Sequence, residues 1–453
     1  MSGMSQVGAA YPEKLPIEPL TRPPQATVRV PGSKSITNRA LVLAALQRRS
    51  EGGCELHGAL RSEDTEVMIE CLTALGFDVQ TRWSESWVCV GADNVGRLIP
   101  ATDANLFVAN SGTTMRFLTA MTALGQGRYR LDGVARMRER PIEDLLVALR
   151  QLGVNAYSEK GNGCPPVVIE ANGLAGGKAE VKGDVSSQFL SGLLMASACA
   201  RDWVTLTIRG RMVSLPYVLM TAEIMHQFGA RVDPTFDGRF IVPAPQEFGR
   251  TDYTIEPDAS AASYFFAAAA ITGGEICLPQ FGDDEWPGYP ARHTSRLQGD
   301  LRFIDVLEEM GCEVHRGQDG ITVRGRPLHG IDVDMNDISD TVMTLAAVAC
   351  FAEGPTTIRN VAHVRHKETD RLAALAAELR RVGAEVAEFA DGLTITPRPL
   401  HGAEIETYKD HRMAMSLALL GLRVPGIVIK DPGCVAKTYP GFFRDLETLR
   451  CTS

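Results

Sequence analysis

The chain is predicted to be an α/β protein of two domains, each built from three similar units, and three observations carry that expectation. A helix ending in Leu-Gly or a close variant, then a small residue and a strand, occurs five times. Its glycines are Gly76, Gly153, Gly229, Gly311 and Gly383, spaced 77, 76, 82 and 72 residues apart. Each suits a helix C′ position, where a positive φ is wanted. A second phrase interleaves with the first: a Ser, Thr or Asp cap, a very apolar helix, a break, another strand. Its six copies start near Ser35, Ser111, Ser186, Ser260, Ser339 and Asp410, spaced 76, 75, 74, 79 and 71. Finally, 453 residues exceed one ordinary domain. Repeats of this period can stack as a solenoid, but two compact domains of three units fit the usual domain size better.

The first unit opens on Ala26–Val30, which alternates like a strand, and on the apolar helical run Ala40–Leu46. Between them lies Val-Pro-Gly-Ser-Lys-Ser-Ile-Thr-Asn-Arg, residues 30–39. Pro31 and Gly32 break the strand, and Ser33 or Ser35 can cap the helix. A helix N-terminus binds anions, and Lys34 and Arg39 add full positive charge. The stretch reads as an anion cradle or as a strand-to-helix turn with a chance lysine. It lacks the second glycine of a Walker A loop. Later apolar helices such as Ala261–Thr272 and Val342–Ala352 are apolar nearly all round and should be buried.

Composition narrows the function. Hydrophobic residues make up 45% and charged residues 22% of the chain, as in soluble globular proteins. A net charge of −9 argues against nucleic-acid binding through a general basic surface. No apolar run reaches the ~18 residues of a membrane-spanning helix. Residues 1–20 lack the apolar core of a signal peptide and read as a short flexible leader. The ten cysteines show no metal spacing and read as reduced thiols of a cytosolic protein.

The residues suited to anions collect at the helix starts. Asn110-Ser-Gly-Thr-Thr-Met-Arg116 opens the second apolar helix, and Gly112 would allow close approach of a ligand to the backbone. Arg136-Met-Arg-Glu-Arg-Pro141 offers three guanidinium forks or a solvated charged loop. Ser186-Ser-Gln188 opens the third helix; capping explains one serine but not both. Ser214 and Tyr217 flank Pro216 in a turn, and Asp258 is most simply an N-cap. Asp340 closes an acidic run at the mouth of an apolar helix, a setting for a general base. Lys367, Glu368 and Arg371 fall within five residues, Lys367 and Arg371 on one helical face. Arg412 opens the sixth helix, and Lys437 lies in a Gly/Pro-bounded loop with Cys434. A purely structural repeat would not need this recurrence of Lys, Arg, Ser and Asp.

Together the motifs Gly32-Ser-Lys-Ser-x-x-x-Arg39, Asn110-x-Gly-Thr-x-x-Arg116, Arg136-Met-x-Glu-Arg-Pro141, Ser186-Ser-Gln-Phe189, Lys367-Glu-x-Asp-Arg371, Asp410-His-Arg-Met413 and Lys437-Thr-x-Pro440 resemble the 5-enolpyruvylshikimate-3-phosphate synthase family of enolpyruvyl transferases. The match runs in order from about residue 26 to about 443. The resemblance implies a cytoplasmic enzyme of chorismate and aromatic amino-acid biosynthesis, moving the enolpyruvyl group of phosphoenolpyruvate to the 5-hydroxyl of shikimate 3-phosphate. It implies two domains of three βαβαββ units, an inside-out α/β barrel each, with an active site in the interdomain cleft and closure on substrate. A leader over 1–20 would precede an N-terminal domain over 33–254 and a C-terminal domain over 21–32 plus 255–453. A monomer with no cofactor and no metal is expected, and no nucleic-acid or membrane partner.

Carried over by matching motif, Ser186, Ser187 and Ser214 would seat the shikimate phosphate. Lys34, Ser35, Arg39, Gln188, Tyr217, Asp340, His363 and Lys367 would hold the rest of that substrate. Phosphoenolpyruvate would be surrounded by Lys34, Gly112, Arg116 and Arg136, with Gln188, Arg371, Arg412 and Lys437. Asp340, Glu368 and Lys34 would be the acid/base groups. Four departures stand out: Phe117 where the family commonly has Pro, His363 for an Asn that contacts the shikimate moiety, Leu215 for a Lys, and a long Phe281–Arg296, expected as a surface excursion. Two other readings fit the repeat. One is the sister transferase acting on UDP-N-acetylglucosamine, which should carry a reactive cysteine in a mobile loop; the other is a non-enzymatic binder of phosphorylated metabolites.

Overall fold

A computed structural model describes residues 11–47, 52–91, 97–282 and 297–450. The chain divides into two compact units, one of residues 1–31 and 257–453 and one of residues 32–256. Twelve α-helices are present among the described residues. In the unit of residues 32–256 they are α1 (Lys34–Ala45), α2 (Glu63–Ala74), α3 (Gly112–Thr122), α4 (Glu143–Gln151), α5 (Ser187–Ser197) and α6 (Leu215–Gln227). In the other they are α7 (Ala259–Thr272), α8 (Phe303–Glu309), α9 (Val342–Ala349), α10 (Arg371–Arg381), α11 (His411–Ala418) and α12 (Phe442–Glu447). None is long and apolar enough to cross a membrane.

The two phrases of the sequence sort these helices. The Leu-Gly phrase ends α2, α4, α6, α8 and α10, and its five glycines take φ of 92°, 85°, 94°, 112° and 103°. These are values an L side chain adopts only at a cost. The apolar phrase forms α1, α3, α5, α7, α9 and α11. Thirteen of the fourteen residues of α7 are buried, and all eight of α9. Within each unit the middle helix of this kind packs between the other two, α3 touching α1 and α5, and α9 touching α7 and α11. Burial on all sides explains why these helices lack a polar face.

The caps fall where predicted at three of six starts. Ser111, Ser186 and Asp410 accept from the backbone N–H of Thr114, Gln188 and Arg412. The other three differ. Helix α1 starts at Lys34, and Ser33 holds the cap position without a side-chain cap bond. Asp258 rather than Ser260 caps α7, accepting from Ala261 N–H at 2.9 Å. Ser339 lies in a 3₁₀ turn, Asn336–Thr341, that delays α9 to Val342.

Among the described residues each unit holds three small mixed sheets. In the second module of residues 32–256, Asp103–Phe107 pairs parallel with Gln126–Asp132, which pairs antiparallel with Val167–Asn172, and that with Asn155–Ser158. With α3 and α4 between them, these strands make a βαβαββ module. The first and fourth modules borrow their leading strands. Asp252–Thr254 pairs parallel with Cys54–His57, whereas Gln25–Thr27 pairs parallel with Glu275–Leu278. The strand that precedes α1 in sequence therefore serves the module of α7. Gly32 marks the crossing. A Cβ there would sit 1.9 Å from the Gly58 carbonyl oxygen, so only glycine fits.

The leader expected over residues 1–20 is corrected for its described part. Lys14–Ile17 forms a strand, antiparallel to Ile427–Lys430, and Ile17 is 3% exposed. The Tyr11 ring meets Phe443 edge-on at 5.3 Å. Leu15 and Ile17 alternate with exposed Lys14 and Pro16, and a proline suits an edge strand; residues 1–10 lie outside the described residues. The excursion expected over Phe281–Arg296 lies outside them too, from residue 283 on; Phe281 itself is buried at the end of a short 3₁₀ turn.

Candidate functional site

The predicted residues fall into two sets, one in each unit. In the unit of residues 257–453, four cations and three carboxylates form a single network. Arg371, the first residue of α10, is 1% exposed. Its Nε donates to Asp410 Oδ2 at 2.8 Å and its Nη2 to Asp410 Oδ1 at 3.2 Å. Nη2 also reaches Glu368 Oε2 at 2.9 Å, and Nη1 reaches Asp340 Oδ1 at 3.4 Å. Asp340 in turn accepts from Arg412 Nη2 at 2.7 Å and lies 3.8 Å from Lys367 Nζ. Lys437 Nζ stands 3.8 Å from Glu368 Oε1.

Local structure places each group. Asp370 caps α10 through Ala373 N–H at 3.1 Å, which sets Arg371 in the first turn. Asp410 caps α11 and so brings Arg412 to that helix start. Asp340 sits in the 3₁₀ turn before α9, and Lys437 ends another, Pro432–Lys437. Burial alone would lower the Arg371 guanidinium, but Asp410, Glu368 and Asp340 outweigh it and hold it above its ordinary value. Arg412 Nη2 also reaches Ser260 Oγ at 3.4 Å, and Ser260 donates to Asp300, itself 2% exposed, so a fourth carboxylate joins the four cations of this largely buried cluster. Guanidinium forks and ammonium groups gathered at helix starts suit an anionic ligand.

His363, on the turn Ala362–His366, is 4% exposed. Burial, then the neighbouring Lys367, pushes its imidazole down to about 3. It is a neutral donor or acceptor at working pH, as an asparagine would be.

The set in residues 32–256 is arranged around helix starts. Lys34 Nζ lies 3.2 Å from Asp64 Oδ2. Arg39, one turn on, is 2% exposed and directs its nitrogens inward. Nε donates to Thr221 Oγ1 at 2.7 Å, Nη1 to the Ser35 carbonyl at 2.8 Å, and Nη2 to Ser191 Oγ and the Tyr217 carbonyl. Its guanidinium also lies over the Phe117 ring at 5.1 Å and the Tyr217 ring at 5.9 Å. Burial lowers it to about 10. Arg39 thus ties α1 to α3, α5 and α6, and Phe117 is its stacking partner. Ser186 caps α5, Ser187 is 7% exposed at its first position, and Gln188 follows. Ser214 precedes α6 in the left-handed region, at φ 51°.

The three arginines of residues 136–140 divide their work. Arg138 grips Asp132 with two bonds of 2.8 Å, and Arg136 pairs with Glu139 at 2.9 Å. Arg140, 3% exposed, lies over Gly112, where a Cβ would fall 2.6 Å from its Nη2. The close approach that Gly112 permits is therefore occupied by Arg140. Arg116, also 3% exposed, donates to the Pro141 carbonyl at 3.1 Å and so ties α3 to the same loop.

Asp410 and Asp64 lie outside the expected ligand contacts, and Arg140 enters there only as one of three forks, although each touches an expected member. The Asp410-His-Arg-Met413 motif was visible in the sequence, but its aspartate reads there as a cap alone. Cys434, singled out for its place before Lys437, is half-buried against the core of its unit, and burial pushes its thiol up, away from the thiolate a nucleophile needs.

Comparison with known proteins adds a family to this geometry. Residues 21–446 match the family of EPSP synthase (3-phosphoshikimate 1-carboxyvinyltransferase). A 3-phosphoshikimate 1-carboxyvinyltransferase of Nostoc punctiforme is 48% identical over 434 residues, covering 95% of this chain and 98% of its own. One from a Shewanella species is 44% identical over 441 residues, covering 97% and 100%. An EPSP synthase structure from Acinetobacter baumannii superposes with a TM-score of 0.76 at 26% identity, covering 97% of this chain and 98% of that one.

Proposed function

The chain belongs to the EPSP synthase family, and from that premise we propose how its residues carry the reaction. The enzyme moves the enolpyruvyl group of phosphoenolpyruvate to the 5-hydroxyl of shikimate 3-phosphate, a step of aromatic amino-acid biosynthesis. The methylene carbon of phosphoenolpyruvate gains a proton while the hydroxyl oxygen, losing its own, bonds to the adjacent carbon. The resulting tetrahedral intermediate then loses a methyl proton, and its carbon–oxygen bond to phosphate breaks.

Asp340 takes the hydroxyl proton. Its carboxylate is held by Arg412 at 2.7 Å, so one oxygen is oriented while the other faces Arg371 and Lys367. Glu368 or Lys34 handles the methylene proton. Arg371, Arg412 and Lys437 stabilise the carboxylate and phosphate of phosphoenolpyruvate and the departing phosphate, together with Arg116, Arg136 and Gly112. Ser186, Ser187 and Ser214 seat the phosphate of shikimate 3-phosphate; Ser35, Gln188, Tyr217, Lys367 and His363 hold its ring. Arg39 acts by fixing Ser35 and Tyr217 through their carbonyls. The enzyme works in the cytoplasm, as a monomer, on these two small molecules.

The observation that carries this reading is the Asp340–Arg371–Arg412–Lys437 network, which sets a candidate base among three cations in one largely buried cluster. Phosphate release on mixing enzyme with shikimate 3-phosphate and phosphoenolpyruvate tests it. Release with UDP-N-acetylglucosamine instead, or tight binding without turnover, would overturn it.

A further inference from the structure

Helix α10 grips the segment Glu406–Arg412 at two points, and only one of them belongs to the site described above. At its start Arg371 holds Asp410. Seven residues on, and so on the same face of the helix, Glu378 is fully buried. Its Oε2 accepts from Glu406 N–H at 3.1 Å, and its Oε1 accepts from the Tyr408 hydroxyl at 2.8 Å. Arg381 is its third partner, at 2.9 Å.

Between the two grips the backbone is strained. Tyr408 and Lys409 both take left-handed conformations, at φ 55° and 56°. Neither residue type favours that region, and a pair in succession persists only where the surroundings hold it. The strained pair ends at Asp410, whose carboxylate must meet Arg371 and also cap α11 through Arg412 N–H at 2.9 Å. Arg412 then reaches Asp340. Tyr408 is 41% exposed, so its hydroxyl bond to Glu378 is not a by-product of core packing.

We propose that Glu378, with Tyr408, is a positioning clamp that holds the left-handed turn Tyr408–Lys409 and thereby aims Arg412 and the Asp410–Arg371 pair at phosphoenolpyruvate. This rests on the reading that Arg371 and Arg412 bind that substrate. Glu378 touches no substrate; it acts through the turn. Loss of the clamp lets the turn relax, and misplacement by less than an ångström is enough to weaken a fixed multi-charge contact.

The test measures KM for each substrate, kcat and the melting temperature of Glu378→Gln, Tyr408→Phe and Arg412→Ala, and of Glu378→Gln combined with Lys409→Gly. The expected result is a KM for phosphoenolpyruvate raised about tenfold in the Glu378 variant and about threefold in Tyr408→Phe. KM for shikimate 3-phosphate should move less than about twofold. Glycine at 409 removes the left-handed penalty at that position and should reverse most of the rise in KM. A fall in melting temperature with unchanged KM would overturn the clamp, as would failure of the glycine to rescue. If Glu378→Gln does not fold, Tyr408→Phe alone decides: an unchanged KM for phosphoenolpyruvate rejects the inference. If Arg412→Ala leaves that KM unchanged, the underlying reading falls and the inference with it; if only Arg412→Ala raises it, the inference alone falls.

Discussion

Arg371 holds Asp410 through two nitrogens of one guanidinium, at 2.8 and 3.2 Å, with the arginine 1% and the aspartate 0% exposed. The pair spans 39 residues of sequence and joins the starts of two helices. It fixes Arg412 through the cap of α11 and Glu368 through the third bond of the arginine. Several consequences are open to measurement.

Removing the guanidinium strands two buried carboxylates. Arg371→Met should lower stability by about 3–5 kcal/mol, read from urea denaturation, and abolish turnover. Arg371→Lys should keep the charge and the fold but lose the fork, so kcat/KM falls sharply while the melting temperature changes little.

The two carboxyl groups assigned to proton transfer should separate from their structural surroundings. Asp340→Asn and Glu368→Gln keep shape and burial, and each should slow phosphate release by roughly 10²–10⁴-fold. Both should still bind shikimate 3-phosphate in calorimetry. Full activity in Asp340→Asn would remove it as the base.

His363 couples stability to pH. Its imidazole sits near 3 in the folded chain against an ordinary value of about 6.5. Between those values the unfolded chain binds the extra proton, so stability falls as pH drops from 6.5 towards 3. From pH 7 to pH 5 the histidine should account for a loss of about 2 kcal/mol. Denaturation midpoints of His363→Asn should fall less over the same interval. Equal slopes for both proteins would contradict the buried neutral imidazole.

Gly112 and Gly32 should respond differently to alanine. At Gly112 the added Cβ meets the buried guanidinium of Arg140, at 2.6 Å, a side-chain end rather than backbone. Stability should fall less than at Gly32 while KM for phosphoenolpyruvate rises. At Gly32 the Cβ meets the Gly58 backbone at 1.9 Å, and the strand must shift. Gly32→Ala should destabilise by at least about 1–3 kcal/mol, read from thermal melts.

What was legible in the sequence was local. The five C′ glycines, the caps at Ser111, Ser186 and Asp410 and the apolar helices depend on residues within a turn or two of each other. Short-range rules suffice for these. Residue type and place at the helix starts picked out Lys34, Asp340, Glu368, Arg371, Arg412 and Lys437, motif resemblance gave them roles, and the structure brings the last five into one network. It could not say that Arg39 turns inward, because that follows from Thr221, Ser191 and Tyr217, more than 150 residues away.

Sequence by itself determined the repeat, the helix ends and the residue types gathered at those ends. Tertiary structure alone decided which strand joins which sheet: Gln25–Thr27 goes to the module of α7, Asp252–Thr254 to that of α1, and Lys14–Ile17 to the edge beside Ile427–Lys430. It also decided that Arg140 covers Gly112 and that Glu378 grips a strained turn. Period and capping are written in neighbouring residues, whereas strand exchange and buried ion pairs are chosen by the free energy of burying distant surfaces together.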